Sequence, residues 1–253
     1  MSGIRESGIR ESGVRVSGIR ESGIRMSGIR VAIIDSGITA GHEHVGDVAR
    51  GVSLVSGSTD TIDRIGHGTA VSAAIREKAP NAELVPIKVF DRKLKTDGAT
   101  LAKAITWAAE HECRLINLSL GTANAEHEAL LASAVALASN GGALIVAAYE
   151  SGGTKWLPGS LDRVIGVVGS AALGRSRIVF KSGAAGSALR LGASIYPRPI
   201  PGVPRERNLH GVSFAVANVT GMLAQFLDGD GTPGDLKGFI AKLQEEGQRP
   251  APT

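Results

Sequence analysis

Apolar residues in this chain gather in short unbroken runs, separated by longer stretches with helical spacing. Val31–Ile34, Leu115–Leu118, Leu144–Ala148 and Val164–Val168 are such runs, and Leu84–Val89 is apolar apart from one lysine. Runs this short, without polar alternation, predict strands buried on both faces. Between them the spacing lengthens. His67–Lys78 predicts a helix that stops at Ala79-Pro80, and Ala99–Glu112 places Leu101, Ile105, Ala108 and Ala109 on one helical face. Glu126–Ser139, Ser213–Leu227 and Asp235–Glu245 predict three more helices. The alternation predicts an α/β fold: a doubly wound, mainly parallel sheet with helices on both faces. Ligand sites in such sheets lie beyond the carboxyl ends of the strands.

The chain opens differently. Residues 2–31 are six copies of a pentad of the form Ser-Gly-Ile-Arg-Glu, and the last copy runs straight into Ala32-Ile33-Ile34-Asp35. A period of five builds no continuous apolar face on a helix or a strand. One Ile or Val in five residues also buries too little surface to offset chain ordering. Residues 1–30 are therefore expected to be a flexible extension, residues 31–246 the folded domain, and residues 247–253, with Pro250 and Pro252, a disordered tail. Two sharper readings of the repeats remain: an arm that binds a partner, or a turn of a five-residue solenoid coil.

With 253 residues, 43% hydrophobic and 21% charged, the composition is that of a globular domain with a sizeable core. The net charge of +4 sits mostly in the extension, where six arginines face three glutamates, so it gives no nucleic-acid signature. The single Cys113 excludes an internal disulfide and is expected to be a small core residue. No apolar run approaches the roughly 18 residues that span a membrane, and the N-terminus lacks the apolar stretch of a secretory signal. A cytoplasmic enzyme is the expectation.

Three motifs carry chemistry. Asp35-Ser36-Gly37 closes the first apolar run, Gly66-His67-Gly68-Thr69 opens a helix, and Gly211-Val212-Ser213-Phe214-Ala215 opens another. A serine hydroxyl is a weak nucleophile until a histidine takes its proton and a carboxylate orients that histidine. Ser213 is also placed to cap a helix, a role that does not exclude nucleophilic attack. These motifs, with Ile116-Asn117-Leu118-Ser119-Leu120-Gly121, resemble those of the subtilisin-like serine proteases, the subtilases, over about Arg30 to Leu227.

That resemblance implies a serine endopeptidase acting on a peptide or protein substrate through an acyl-enzyme, without a cofactor. Asp35, His67 and Ser213 would be the triad. Leu118, Ser119, Leu120 and Gly121 would pair with an extended substrate and wall its main pocket. Gly152, Gly153 and Trp156-Leu157-Pro158 would surround that pocket.

The chain departs from the family in three places. Where subtilases read Ala-Ala-Gly-Asn-Glu, with the Asn donating to the oxyanion, this chain reads Ala147-Ala148-Tyr149-Glu150-Ser151. Glu150 takes the place of the Asn, and only its protonated form is a donor; a shift of one residue puts the Ser151 hydroxyl there instead. After the nucleophile, Val212, Ala217 and Asn218 replace the family's Thr, Pro and His. The loop Thr39–Val45 lacks an Asp that often helps hold a structural calcium, and Asp228 with Asp230 makes no EF-hand, so no essential metal is expected. His42 and His44 are read as solvated loop residues rather than metal ligands, since they have no clear third ligand. His210 lies near Ser213 without an assigned role.

Two functions follow. One is a serine endopeptidase of narrow specificity that processes a precursor peptide. The other is a catalytically silent binding module on the same fold, or a scaffold whose repeats form the interface.

Overall fold

The computed structural model describes residues 28–185, 187–229 and 234–248. The strands are Arg30–Asp35 (β1), Val52–Ser53 (β2), Glu83–Lys88 (β3), Leu115–Leu118 (β4), Leu144–Ser151 (β5), Thr154–Lys155 (β6), Val164–Ser170 (β7), Ile178–Ser182 (β8) and Arg190–Ser194 (β9). The helices are His67–Lys78 (α1), Gly98–Glu110 (α2), Glu128–Asn140 (α3), Val212–Asp228 (α4) and Leu236–Gln248 (α5). One sheet runs in the order β2-β3-β1-β4-β5-β7-β9-β8, with β6 folded back against β5. Every pairing is parallel except β5 with β6 and β8 with β9.

Strand alternation divides the core in two. Val31 and Ile33 of β1 point to the face covered by α1, α4 and α5. Ala32 and Ile34 point to the face covered by α2 and α3. Both sets are fully buried, which is why β1 reads as a continuous apolar run rather than an alternating one. The chain reverses direction across the sheet between β1 and its two neighbours β3 and β4, and Asp35, the last residue of β1, sits at the carboxyl end of that central strand.

α4 is buried on almost every side, from Phe214 through Ala224, and packs across α1. The approach is close at Gly221, where a Cβ would lie 3.1 Å from the Ile75 backbone. Beside β1, the fully buried Lys88 ends β3 and donates to the Ile62 carbonyl (2.9 Å) and to Asp91 (2.8 Å). A charge placed there is held by its hydrogen bonds, and the bond to Ile62 anchors the loop that leads into α1.

The structure departs from the sequence expectations at several boundaries. β1 starts at Arg30, inside the expected extension; residues 1–27 lie outside the described residues. α5 reaches Gln248, so Gly247 and Gln248 are helical rather than tail, and residues 249–253 lie outside the described residues. β5 continues to Ser151 because β6 pairs back on it. The N-cap of α4 is Gly211, so Ser213 is the second helical residue and not the cap. β2, β6, β8 and β9 carried no sequence signal: two are two residues long, and β8 is a partly exposed edge strand. Cys113 is buried, and burial pushes its thiol up to about 11, as a core residue requires.

Gly221→Val should force α1 and α4 apart. A gain of a few tenths of a kcal/mol in helix propensity is outweighed by overpacking of about 1–3 kcal/mol. Urea unfolding should show a lower midpoint, and an unchanged midpoint would contradict this packing.

Candidate active site

β1 delivers Asp35 into the interior with no exposed surface, and an isolated carboxylate there would be costly. Its oxygens are met on all sides. Ser36 donates its N–H (2.7 Å) and its hydroxyl (3.2 Å) to Oδ1. His67 Nδ1 lies 2.8 Å from Oδ1 and 3.0 Å from Oδ2. His67 is the first residue of α1, and the helix can come this close because its next residue is Gly68. A Cβ on Gly68 would sit 2.1 Å from the Gly37 carbonyl and 3.2 Å from the Asp35 Cβ.

A second acid supports this pair. Asp63 accepts from the Ser36 hydroxyl (2.8 Å), from the N–H groups of Ile65 (2.9 Å) and Gly66 (2.8 Å), and from both the N–H (2.8 Å) and hydroxyl (2.7 Å) of Thr69. The Ser36 hydroxyl in turn accepts from the Gly68 N–H at 3.0 Å. Asp63 thus staples the first turn of α1 to the end of β1. Burial works against its charge, but these donors outweigh it and lower its pKa below the ordinary 3.8. Sequence reasoning passed Asp63 over. Its signal was an acid just ahead of a Gly-His-Gly-Thr helix start, where free N–H groups gather.

Burial also works against a charged His67. The hydrogen bond and charge of Asp35, helped by the charge of Asp63, outweigh burial and raise the imidazole pKa above its ordinary 6.5. The bond to Asp35 fixes the proton on Nδ1 of the neutral ring and leaves Nε2 as the basic nitrogen.

Ser213 enters from α4. Its hydroxyl donates to the Ser119 carbonyl (2.9 Å), not to His67, and the Ser119 hydroxyl donates back to the Ser213 carbonyl (2.9 Å). Behind them Asn117 donates to the Ser119 hydroxyl (2.9 Å) and accepts from the Thr220 hydroxyl (2.8 Å). This buried polar chain ties β4 to α4, and neither Asn117 nor Thr220 was singled out in the sequence. Asn218, two residues before Thr220, is also buried and donates to the carbonyls of Ser194 (2.9 Å) and Tyr196 (3.0 Å).

His67 and Ser213 line one cleft of about 250 Å³, walled by Ser119, Leu120, Gly121, Ala148, Ser151 and Trp156. Its two walls are joined by backbone hydrogen bonds between Thr122 and Leu157 (2.9 and 2.8 Å). The other expected site residues fall elsewhere. Leu118 is turned into the core on the α2–α3 face. Glu150 is not among the cleft-lining residues and pairs in the ladder with Lys155. Gly152 forms the turn between β5 and β6. A register shift between Ala148 and Glu150 accounts for the exchange: the irregularity re-aims the end of β5, and Ser151 lines the cleft. His210 is exposed beside Tyr196, with ring centroids 6.1 Å apart. Among the described residues, no helix is long and apolar enough to cross a membrane.

Comparison with known proteins agrees with this geometry. A family model, that of the subtilase family, matches residues 26–186, which include Asp35 and His67. Subtilisin DY of Bacillus licheniformis is 32% identical over 215 residues, covering 78% of this chain and 76% of its own length. A thermophilic serine proteinase of Bacillus sp. (strain AK1) is 33% identical over 150 residues, covering 54% of this chain and 37% of that protein. Two solved structures share the fold. A lanthipeptide protease has a TM-score of 0.63 at 18% identity, covering 87% of this chain and 80% of its own. Sphericase has a TM-score of 0.62 at 23% identity, covering 87% of this chain and 83% of its own. The motifs, the sheet with its buried carboxylate, and these matches together establish that the chain belongs to the subtilase family of serine endopeptidases.

Proposed function

We propose that Asp35, His67 and Ser213 act as the catalytic triad of a peptide-bond hydrolase with narrow specificity. The observation that carries this reading is the buried Asp35 carboxylate gripping His67 Nδ1, with His67 and Ser213 on one cleft. Rotation about the Ser213 side chain moves its hydroxyl from the Ser119 carbonyl to His67 Nε2. His67 then takes the proton as Oγ attacks the scissile carbonyl, and the Asp35 carboxylate stabilises the imidazolium. His67 returns the proton to the leaving amine, and water resolves the acyl-ester by the same path. The oxyanion meets the Ser213 N–H, which has no intrahelical partner in the first turn of α4, and the Ser151 hydroxyl.

A single side-chain hydroxyl as donor and a small acyl-side pocket closed by Trp156 suit slow processing of one defined precursor peptide better than bulk digestion. One observation favours the second reading, a silent binding module: the Ser213 hydroxyl is engaged by Ser119 rather than by His67. Cleavage of a degenerate peptide library, read by mass spectrometry, separates the two. The triad reading predicts a few preferred sites, lost in Ser213→Ala. An intact library would favour the binding module.

Ser151→Ala should lower turnover on the order of 10²–10³-fold, the size of losing one oxyanion donor, a magnitude itself taken from a subtilisin. Glu150→Gln should change turnover less than about 3-fold, far short of a lost donor. The reverse ranking in steady-state kinetics would return the donor to Glu150.

The pH profile supplies a further check. His67 works as a base only when neutral, so activity rises with pH through its raised pKa. Asp63→Asn removes a negative charge that favours the imidazolium, so the acid limb of kcat/KM should move to lower pH. A limb that stays in place, or moves to higher pH, would contradict the assigned electrostatics.

A further inference from the structure

Beyond the catalytic cleft, a second cavity of about 390 Å³ lies along the other side of α1. Thr69, Ala70 and Ala73 of α1 form its floor, the loop of His42–His44 one rim, and a strap over residues 197–209 the other. The strap has two features its own packing does not consume. Ile200, Val203 and Leu209 are large apolar side chains left 47%, 38% and 56% exposed. It also carries Arg198, Arg205 and Arg207 against a single Glu206. Among the described residues none of these guanidiniums meets a carboxylate. Arg205 lies over the Tyr196 ring at 3.9 Å, which fixes the base of the strap. On the opposite rim His44 pairs with the exposed Glu43 at 3.5 Å, so that carboxylate already has a local partner.

The position of the cavity gives it a role. His67 must hand its proton to the leaving amine, so the departing half of the substrate passes His67 on the side away from the Ser119–Gly121 wall. Gly66 and Thr69, which flank His67, line the cavity on that side, and Asn208 and Leu209 line it a few residues ahead of Ser213. We propose that this cavity binds the leaving-side segment of a peptide substrate, taking an apolar residue against Pro197, Ile200 and Leu209, with acidic residues next to it facing Arg198 and Arg207. This rests on the triad reading above and extends it to a substrate class: peptides cut just before an apolar residue followed by acids. Uncompensated rim charges act chiefly on capture and partner choice and are screened by salt.

The test uses peptides with a degenerate acyl side and a leaving segment of Leu-Glu-Glu, Leu-Gln-Gln or Leu-Lys-Lys, together with degenerate acyl-coumarin amides that lack a leaving peptide. Native chain should favour Leu-Glu-Glu over Leu-Lys-Lys by about 10-fold in kcat/KM at low salt. That preference should shrink in 0.5 M salt and fall below about 2-fold in Arg198→Gln/Arg207→Gln, as screening and charge loss require. The variant should hydrolyse the coumarin amides at the native rate. Equal turnover of the three peptides, with coumarin-amide hydrolysis intact, would overturn this subsite and leave the triad reading standing. A variant slowed equally on the coumarin amides would show that the strap shapes the catalytic centre, and would overturn it too. No hydrolysis of any substrate by the native chain would remove both readings together.

Discussion

A carboxylate with no exposed surface has to be met from every side, and at Asp35 that requirement organises the molecule. The central strand β1 carries it inward, Ser36 satisfies it locally, and His67 completes the set. His67 reaches it only because Gly68 offers no Cβ to the Gly37 carbonyl. Asp63 then binds the two backbones that must stay in register, the end of β1 and the first turn of α1. A buried charge is costly unless paired; here the pairing is also what leaves Nε2 of His67 free to act as a base.

The nucleophile is fixed from elsewhere, through a different kind of contact. α4 is the most deeply buried helix, and the chain Thr220–Asn117–Ser119 registers it against β4 by hydrogen bonds rather than charge. The base and the nucleophile therefore ride on two helices, α1 and α4, that touch along Gly221 and Ile75. Packing between those helices and the positioning of the chemistry are the same constraint. The cleft opens where the two helix starts converge, and the second cavity lies along the same α1 on its far side, so one short helix borders both halves of a bound chain.

Much of this was legible in the sequence. Buried parallel strands are apolar runs because both of their faces are covered, and β1, β4, β5 and β7 were readable for that reason. Asp35, His67 and Ser213 were readable because each stands beside a glycine where backbone must pass close. The rest depends on tertiary register. Ser151 rather than Glu150 lines the cleft because an irregularity in β5 shifts the pairing after Ala148, and strand periodicity does not carry such a shift. Asp63, Asn117 and Thr220 matter through partners distant in sequence or through turn N–H groups, so no local pattern marked them. The strap over residues 197–209 is mostly irregular backbone, and its meaning came only from what it faces.

The central claim is that burial and hydrogen bonding of Asp35 make Ser213, through His67, an activated nucleophile. Intact mass after incubation with a fluorophosphonate tests it most directly. The account predicts a single adduct on the native chain, forming faster as pH rises through the raised pKa of His67, and none on Ser213→Ala. No adduct at any pH from mildly acidic to mildly basic, or equal labelling of Ser213→Ala, would contradict it.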